Sequence, residues 1–486
     1  MTKLCWRRCH GHRGVRLKRG APDAASKPRG DSGDRSLHSF VCQRGGDPAR
    51  PISRRWTSRM KVLVTGSNGL IGTAVCARLI AAGHKLVRVS RRKQAGLGEA
   101  EAIAIDMAKA LAPEEWSEAL QGVDAVVNCA GVLQDSASEH TTDVHASGAE
   151  VLFIACRQTG VRRVIHFSAI GVDREQPSAF SASKRAGEEA LMQLDLDWVV
   201  LRPSVVLGRP VFGASALFRG LAALPVLPSM PDTGLLQVVQ LEDVVETVAL
   251  LLGADAPSRA CLDLAGPDAF TMEEVVAQYR RWLGWEKARV LALPRWAARP
   301  LYRVGDAVSV LGWRPPMRTN AALEISRGAT GDPRQWKVTT GIEPQSLPAA
   351  LAANPATVQD RWFARLFFLK PAVFTILPFF WIVTGIISLT TGWQSGVQLI
   401  INTAVGALAA PLVVAGALAD LAIGVLIALR RTARLGLWAA TSICLFYALA
   451  GTLLRPDLWN EPLGPLMKIL PIFLLHLVAL AILEER

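Results

Sequence analysis

The sequence predicts two architectures in tandem: an α/β doubly wound parallel sheet, then an all-α four-helix transmembrane domain. Three observations carry that expectation. A short apolar run at 61–65 leads straight into a glycine-spaced loop and an Ala/Leu-rich helical stretch. Short apolar runs recur at 85–89, 103–105 and 125–127, each closed by polar residues or glycine, as in alternating strands and helices. After residue 365 the charges thin out to 7 Lys/Arg and 5 Asp/Glu in 121 positions, and the apolar runs lengthen toward bilayer width.

Composition sets the outer bounds. A chain of 486 residues is expected to hold roughly three domains. With 50% apolar and 20% charged residues it is neither disordered nor collagen-like. The formal charge is +13, but residues 1–59 alone hold 15 Lys/Arg against 4 Asp/Glu, which leaves only +2 for the rest. No nucleic-acid partner is therefore expected for the folded body. Eight cysteines are scattered without a C-x-x-C pair, so neither a metal site nor a disulfide framework is expected.

Residues 1–59 are rich in Arg, Gly, Ser and Pro and show no sustained period. Met60 is followed at once by a strand-like run, so 1–59 reads as a disordered basic extension or a mis-assigned start. A transit peptide is the alternative, and Asp23, Asp31, Asp34 and Asp47 count against it.

From Met60 the order is strand, glycine loop, helix, strand. The loop reads Gly66-Ser67-Asn68-Gly69-Leu70-Ile71-Gly72, with the helix expected over 73–82 and a second strand over 85–89. In this context the spacing fits a dinucleotide site. Gly66 permits the tight turn, Gly69 lets the backbone approach a pyrophosphate, and Gly72 allows close helix packing. The phosphates would meet free N–H groups at the positive end of the helix. The second strand ends Val89-Ser90-Arg91-Arg92 without an acid to hold a ribose 2′-hydroxyl. Arg91 and Arg92 therefore favour NADP(H), with NAD(H) as the alternative cofactor. Two more strand ends, at Asp106 and at Asn128-Cys129-Ala130-Gly131, supply an adenine-amino acceptor and a backbone that passes close to the cofactor.

These residues resemble the short-chain dehydrogenase/reductase superfamily, in its extended and atypical branches, which are NAD(P)-binding and Rossmann-like. The carrying features are TGSNGLIG, the strand ending in Asp106, NCAG, HFSAIGVD at 166–173, FSASK at 180–184 and LRPSVVLG at 201–208. QLEDV at 240–244 and CLDLAGPDAFTMEEV at 261–275 extend the resemblance to about residue 345. The resemblance implies a Rossmann core over 60–208 and a substrate-binding part over 209–365. It also implies a Ser on one strand and a Tyr-x-x-x-Lys pair on the next helix. Ser168 takes the Ser place and Lys184 the Lys place, but the Tyr place holds Phe180.

A benzyl group has no proton to give, so the family's general acid is missing. Tyr279, Tyr302 and Tyr447 all lie outside the nucleotide-binding half. Ser181, Ser183, His166, Ser168 or a water are the substitutes to consider. Lys184 and the glycine loop still imply cofactor binding. Four prolines between 208 and 235 (Pro210, Pro225, Pro228 and Pro231) predict a long loop there. Arg202 is open to two readings, as an anion-orienting group or a buried structural arginine.

Residues 366–486 carry the transmembrane expectation, with spans at about 371–389, 410–429, 435–454 and 465–483. The run 397–409 is too short for a fifth and reads as interfacial. Arg361, Arg365 and Lys370 precede the first span, and Arg430, Arg431 and Arg434 separate the second from the third. That bias predicts a multi-pass protein with its nucleotide domain in the cytoplasm; the fusion of such a domain to membrane helices resembles a bacterial arrangement, which implies the bacterial inner membrane. The block resembles the DoxX-like membrane family, through APLVVAGALADLAIG at 410–424 and EPLGPLMKILPIFLLHLVALAIL at 461–483. Such proteins are associated with quinone-linked redox chemistry. Asp420 and His476 are the polar candidates inside the spans. The cost of burying a charge there predicts that they face a polar interior, pair or relay protons, with a mutual pair as one hypothesis and a neutral His476 bonded to a neighbouring helix as the alternative.

The chain thus reads as a membrane-anchored NAD(P)H-binding oxidoreductase passing reducing equivalents to a quinone or another membrane acceptor. The alternative is a non-catalytic NADP(H) sensor or assembly scaffold. The partners expected are a nicotinamide nucleotide and membrane lipid.

Overall fold

The computed structural model describes residues 59–92, 100–133, 135, 140–175, 177–313, 315–462 and 464–483. The expected basic extension falls outside them except for Arg59. Six strands come first: β1 (Lys61–Thr65), β2 (Lys85–Ser90), β3 (Glu101–Ala104), β4 (Ala125–Asn128), β5 (Arg163–Phe167) and β6 (Asp197–Pro203). With the later strand Ala260–Leu264 they form one sheet, in which β3, β2, β1, β4, β5, β6 and Ala260–Leu264 lie side by side, all parallel. The chain leaves β1 toward one edge and returns beside it at β4. The crevice between their carboxyl ends is the switch point where ligands bind in such sheets.

Both faces of the sheet are covered, so its strands are apolar throughout rather than alternating. Val62, Val64, Ile165 and Val199 join the core on one face, while Leu63, Val126, Val164 and Val200 join the core on the other. Helix α1 (Leu70–Ala81) packs on the first face; α2 (Gly148–Thr159) packs on the second. Helix α1 starts three residues earlier than expected, within the glycine loop. Helix α3 (Ala179–Met192) opens at Ser178, whose side chain accepts from Ser181 N.

The loop expected between 208 and 235 is instead partly ordered, with a helix at Ala214–Ala222 and a strand at Val226–Ser229. The helix is built from Ala, Leu and Phe, and Leu217, Phe218 and Leu221 enter a third core with Val275, Val276 and Tyr279. Tertiary burial outweighs the prolines that flank it. Two further helices, Arg295–Val310 and Thr319–Arg327, follow.

The C-terminal region is helical. Among the described residues, three helices are long and apolar enough to cross a membrane: Val358–Leu389, Gly406–Ala428 and Ala433–Leu454. Gly385 and Gly424 let the first two come close. A Cβ on Gly385 would lie 2.7 Å from the Ala417 carbonyl, and one on Gly424 would lie 3.0 Å from that of Pro378. The fourth helix is shorter than expected. It runs Ile469–Leu483, because Gly464 has a left-handed φ of +54° and Pro465 follows it. Fifteen residues rise only about 22 Å against a core of about 30 Å. Between 389 and 406 lies the short helix Trp393–Ile401.

The helical region is joined to the preceding lobe. Trp313 donates from Nε1 to the Ala428 carbonyl at 2.7 Å, and the Arg430 N–H donates to the Leu311 carbonyl at 3.0 Å.

Candidate functional site

The glycine loop closes β1 onto α1. Gly66 has φ of +59°, and a Cβ there would lie 2.7 Å from the Cys129 carbonyl oxygen. Only glycine lets β1 turn this close to the end of β4. A Cβ on Gly72 would run into the Gly66 carbonyl, so the helix can start inside the loop only with glycine at that position. Gly69 caps α1 without a side-chain acceptor. The first-turn N–H groups, from Leu70 and Ile71 onward, are thus left for an anion at the positive end of the helix. This cradle suits a pyrophosphate. Ser67 is turned inward instead, donating from Oγ to the Val89 carbonyl at 3.1 Å. Asn68 accepts from Arg88 Nη2 at 3.4 Å. Arg91 and Arg92 stand exposed at the carboxyl end of β2. Asp106 is half-buried after β3 and accepts from its own turn, at Ala108 N, 3.3 Å away.

Under the crevice runs a buried polar chain. Thr65 Oγ1 donates to Asn128 Oδ1 at 2.6 Å, and the same oxygen accepts the Ala130 N–H at 3.2 Å. That fixes the amide, so Asn128 Nδ2 faces His166 Nδ1 at 3.1 Å as the donor. Burial, and secondarily the Lys184 charge, pushes the His166 pKa well below its ordinary value. His166 is therefore neutral, a support for the strand ends rather than a proton donor.

Lys184 comes from α3 and is buried at the same edge. Its Nζ donates to the Phe167 carbonyl at 2.8 Å and reaches the Ala130 carbonyl at 3.3 Å. Burial pushes its pKa down to about 8, against the opposing charges of Cys129 and Glu188. Beside it, Ser168 is buried, and its Oγ has no partner among the described residues. An unpaired buried hydroxyl costs free energy unless something bonds it, so Ser168 fits a ligand oxygen.

Phe180 lies one turn before Lys184 on α3, half-buried, with its ring edge-on to His145 at 5.5 Å between centroids. His145 carries no sequence signal of its own. It sits in a π-helical turn, Asp143–Ser147, which re-aims a side chain that an α-helix would place elsewhere. Its Nε2 accepts the Val132 N–H at 2.9 Å, which leaves the proton on Nδ1, 2.9 Å from Ser183 Oγ. Ser183 in turn donates to the Phe180 carbonyl at 2.9 Å. Burial, and secondarily the Lys184 charge, hold the His145 pKa far below its ordinary value. Ser183 is thus occupied by His145, and Ser181 by Glu324, whose Oε1 accepts its hydroxyl at 3.3 Å. The three tyrosines lie on other elements: Tyr279 in the third core, Tyr302 on Arg295–Val310, and Tyr447 in the helical region.

Arg202 resolves toward the structural reading. It grips Glu188 bidentately, at 2.9 and 2.5 Å, with both side chains buried, and Asp173 adds a bond at 3.2 Å.

The NAD(P)H-binding family matches residues 66–217, and the DoxX-like family matches residues 378–477. The chain joins an NAD(P)-binding Rossmann domain to a C-terminal DoxX-like domain. An uncharacterised protein of Mycobacterium tuberculosis is 29% identical over 223 residues, covering 46% of this chain and 23% of that protein. The chain thus spans about a quarter of that relative's length. The ceramide reductase of Caulobacter vibrioides is 24% identical over 241 residues, 49% of this chain and 74% of the relative. Among solved structures, MoeE5 in complex with UDP-glucose and NAD has a TM-score of 0.48 at 21% identity, covering 63% of this chain and 99% of that one.

In the DoxX-like half, Asp420 and His476 are both buried, but they do not form the hypothesised pair. Asp420 accepts from Tyr447 OH at 3.2 Å. His476 Nε2 accepts from Trp381 Nε1 at 3.1 Å, and the two rings stack at 5.7 Å. Cys444 Sγ lies 4.0 Å from His476 Nδ1.

Proposed function

We propose that this chain is an NADP(H)-dependent oxidoreductase whose DoxX-like helices cross a bacterial inner membrane and hold the nucleotide domain at the cytoplasmic face. Its acceptor is a quinone or another membrane-resident acceptor whose reduced form needs no positioned acid. The carrying observation is the free, buried Ser168 hydroxyl beside the Lys184 ammonium, next to a Phe180 that has no proton to give.

The glycine loop and the start of α1 would hold the pyrophosphate, Arg91 and Arg92 the 2′-phosphate, and Lys184 the nicotinamide ribose. Bound NADPH supplies hydride, and a quinone acceptor takes one proton from solvent and leaves as hydroquinone. Ser168 orients the acceptor oxygen by a hydrogen bond. Lys184 stabilises negative charge developing there, since with its pKa near 8 it is mostly charged at neutral pH. A reduced quinone oxygen is a phenolate with a basicity like that of tyrosine, whose pKa is about 10. It can leave the site without a positioned acid. An alkoxide from an ordinary ketone is far more basic and needs one, which Phe180 withholds. The ceramide reductase among the relatives has a lipid in its name, which supports a lipid-soluble acceptor. Phe180 is also what favours the second reading, an NADP(H) sensor without turnover.

The test uses the full chain in lipid nanodiscs. NADPH should bind more tightly than NADH, and Arg91→Ala should narrow that preference roughly tenfold. NADPH should then be oxidised on addition of a short-chain ubiquinone or menaquinone analogue. Binding without oxidation by either analogue would replace the enzyme by the sensor. No binding of either nucleotide would remove both.

A further inference from the structure

The helix Arg295–Val310 has an apolar face that none of the described residues covers. Its inner side is set by Ala298, Gly305 and Ser309, which are buried. Opposite them, at helical spacing, stand Trp296, Pro300, Val304 and Ala307, continued by Leu311 just past the helix end. Trp296 is 77% exposed and Val304 60%. Arg295, Arg299 and Arg303 recur every fourth residue along one border of this face. A contiguous apolar face of this kind is unusual on a water-facing surface. A tryptophan-bearing apolar stripe bordered by arginines is instead the pattern of a helix lying in a headgroup layer.

The position of the helix identifies the occupant. Directly after it, Leu311 accepts the Arg430 N–H at 3.0 Å, and Trp313 bonds the Ala428 carbonyl at 2.7 Å. Ala428 is the last residue of a candidate membrane span, and Arg430, Arg431 and Arg434 follow it. The amphipathic helix is therefore pinned at the level where the bundle leaves the bilayer. Arg295 is paired with Asp232, but Arg299, Arg303 and those three share the sign that an anionic leaflet attracts.

The same element borders the nucleotide site. Arg318, at the start of the next helix, bonds Asp306 Oδ1 at 3.2 Å and the carbonyl of Asp135 at 2.7 Å, in the loop after Gly131. On that next helix, Glu324 holds Ser181, the neighbour of Phe180. We propose that Arg295–Val310 rests its Trp296–Val304 face in the headgroups of an anionic phospholipid leaflet, so that the open side of the nucleotide site stands against the bilayer surface. This rests on the reading of the DoxX-like helices as membrane-spanning.

The test places an environment-sensitive fluorophore on Val304→Cys, Leu445→Cys or Glu118→Cys, each in the full chain and read against the unsubstituted chain labelled in parallel. Leu445 is an exposed residue inside a span and Glu118 an exposed residue of the nucleotide domain. The proteins are reconstituted in phosphatidylethanolamine and phosphatidylglycerol, with nitroxide lipids carrying the quencher either near the headgroup or near the chain end. The label at 304 should be quenched about threefold more than that at 118, by the shallow nitroxide above all. Quenching at 445 but not at 304 overturns the docking surface and leaves the spans standing. Absence of quenching at 445 overturns the spans themselves, and the docking surface with them.

Discussion

Replacing Lys184 by methionine separates the two things this side chain does. Its ammonium is buried, bonded to the Phe167 carbonyl at 2.8 Å and the Ala130 carbonyl at 3.3 Å, and burial brings its pKa from 10.5 to about 8. At about 1.36 kcal/mol per unit, the charged form costs the fold about 3 kcal/mol. Between the folded value near 8 and the unfolded value near 10.4, the unfolded chain binds more protons. Stability attributable to this group therefore rises with pH across that window and is lowest below it. Methionine removes the cost but takes the donor from the buried Phe167 carbonyl, at about 1–3 kcal/mol, and from the half-buried Ala130 carbonyl, at less. The opposing terms nearly cancel at pH 7, so the variant should melt within a few degrees of the native chain there. From pH 8 to 10.5 the native chain should gain on the variant by about 3 kcal/mol. The difference between the two melting series cancels every other group that titrates in that range. NADPH affinity at pH 7 should fall at least tenfold, roughly 1.4 kcal/mol, by fluorescence titration. Parallel melting series would show that Lys184 does not titrate in this window. Unchanged affinity would show that it does not hold the cofactor.

Two further substitutions probe the same edge of the sheet. Phe180→Tyr restores a phenol one turn from Lys184, and NADPH-dependent reduction of a small aldehyde should rise by about a hundredfold or more. Intact NADPH binding with no gain would mean that the acceptor does not sit beside this ring. Arg202→Leu strands the Glu188 carboxylate in the core and should cost about 3–5 kcal/mol, visible as a large fall in melting temperature. Arg202→Leu combined with Glu188→Leu should recover much of that loss. A cost below about 1 kcal/mol for the single change would mean that water reaches the carboxylate.

The parts of the fold legible in the sequence are those that one-dimensional spacing encodes. The glycine loop could be placed because its spacing is local, Gly69 and Gly72 both answering to the Gly66 carbonyl, although Gly66 itself answers to Cys129 on a distant strand end. The apolar strands could be placed because a sheet covered on both faces leaves no polar alternation. His145 was not legible, because a π-turn breaks the very period from which side-chain direction is read. Arg202 was ambiguous because its partner, Glu188, is 14 residues away on another element. The helix at Ala214–Ala222 was hidden by flanking prolines, although its own residues favour a helix and four of them, Leu217, Phe218, Leu221 and Ala222, are buried by distant contacts.

The membrane residues show the same limit more sharply. Burial cost marks Asp420 and His476 as residues that must find partners, and each does. Sequence gives the depth of a side chain along a span but not its direction around the helix axis. Asp420, Cys444, Tyr447, His476 and Trp381 all lie within the inner turns of their helices, so many pairings were compatible with depth alone. Helix phase selects Tyr447 for Asp420 and Trp381 for His476. Cys444, three residues before Tyr447, turns the same helix toward His476. Ala433–Leu454 is therefore the element that borders both pairs, and a shift in its rotation would disturb the two together.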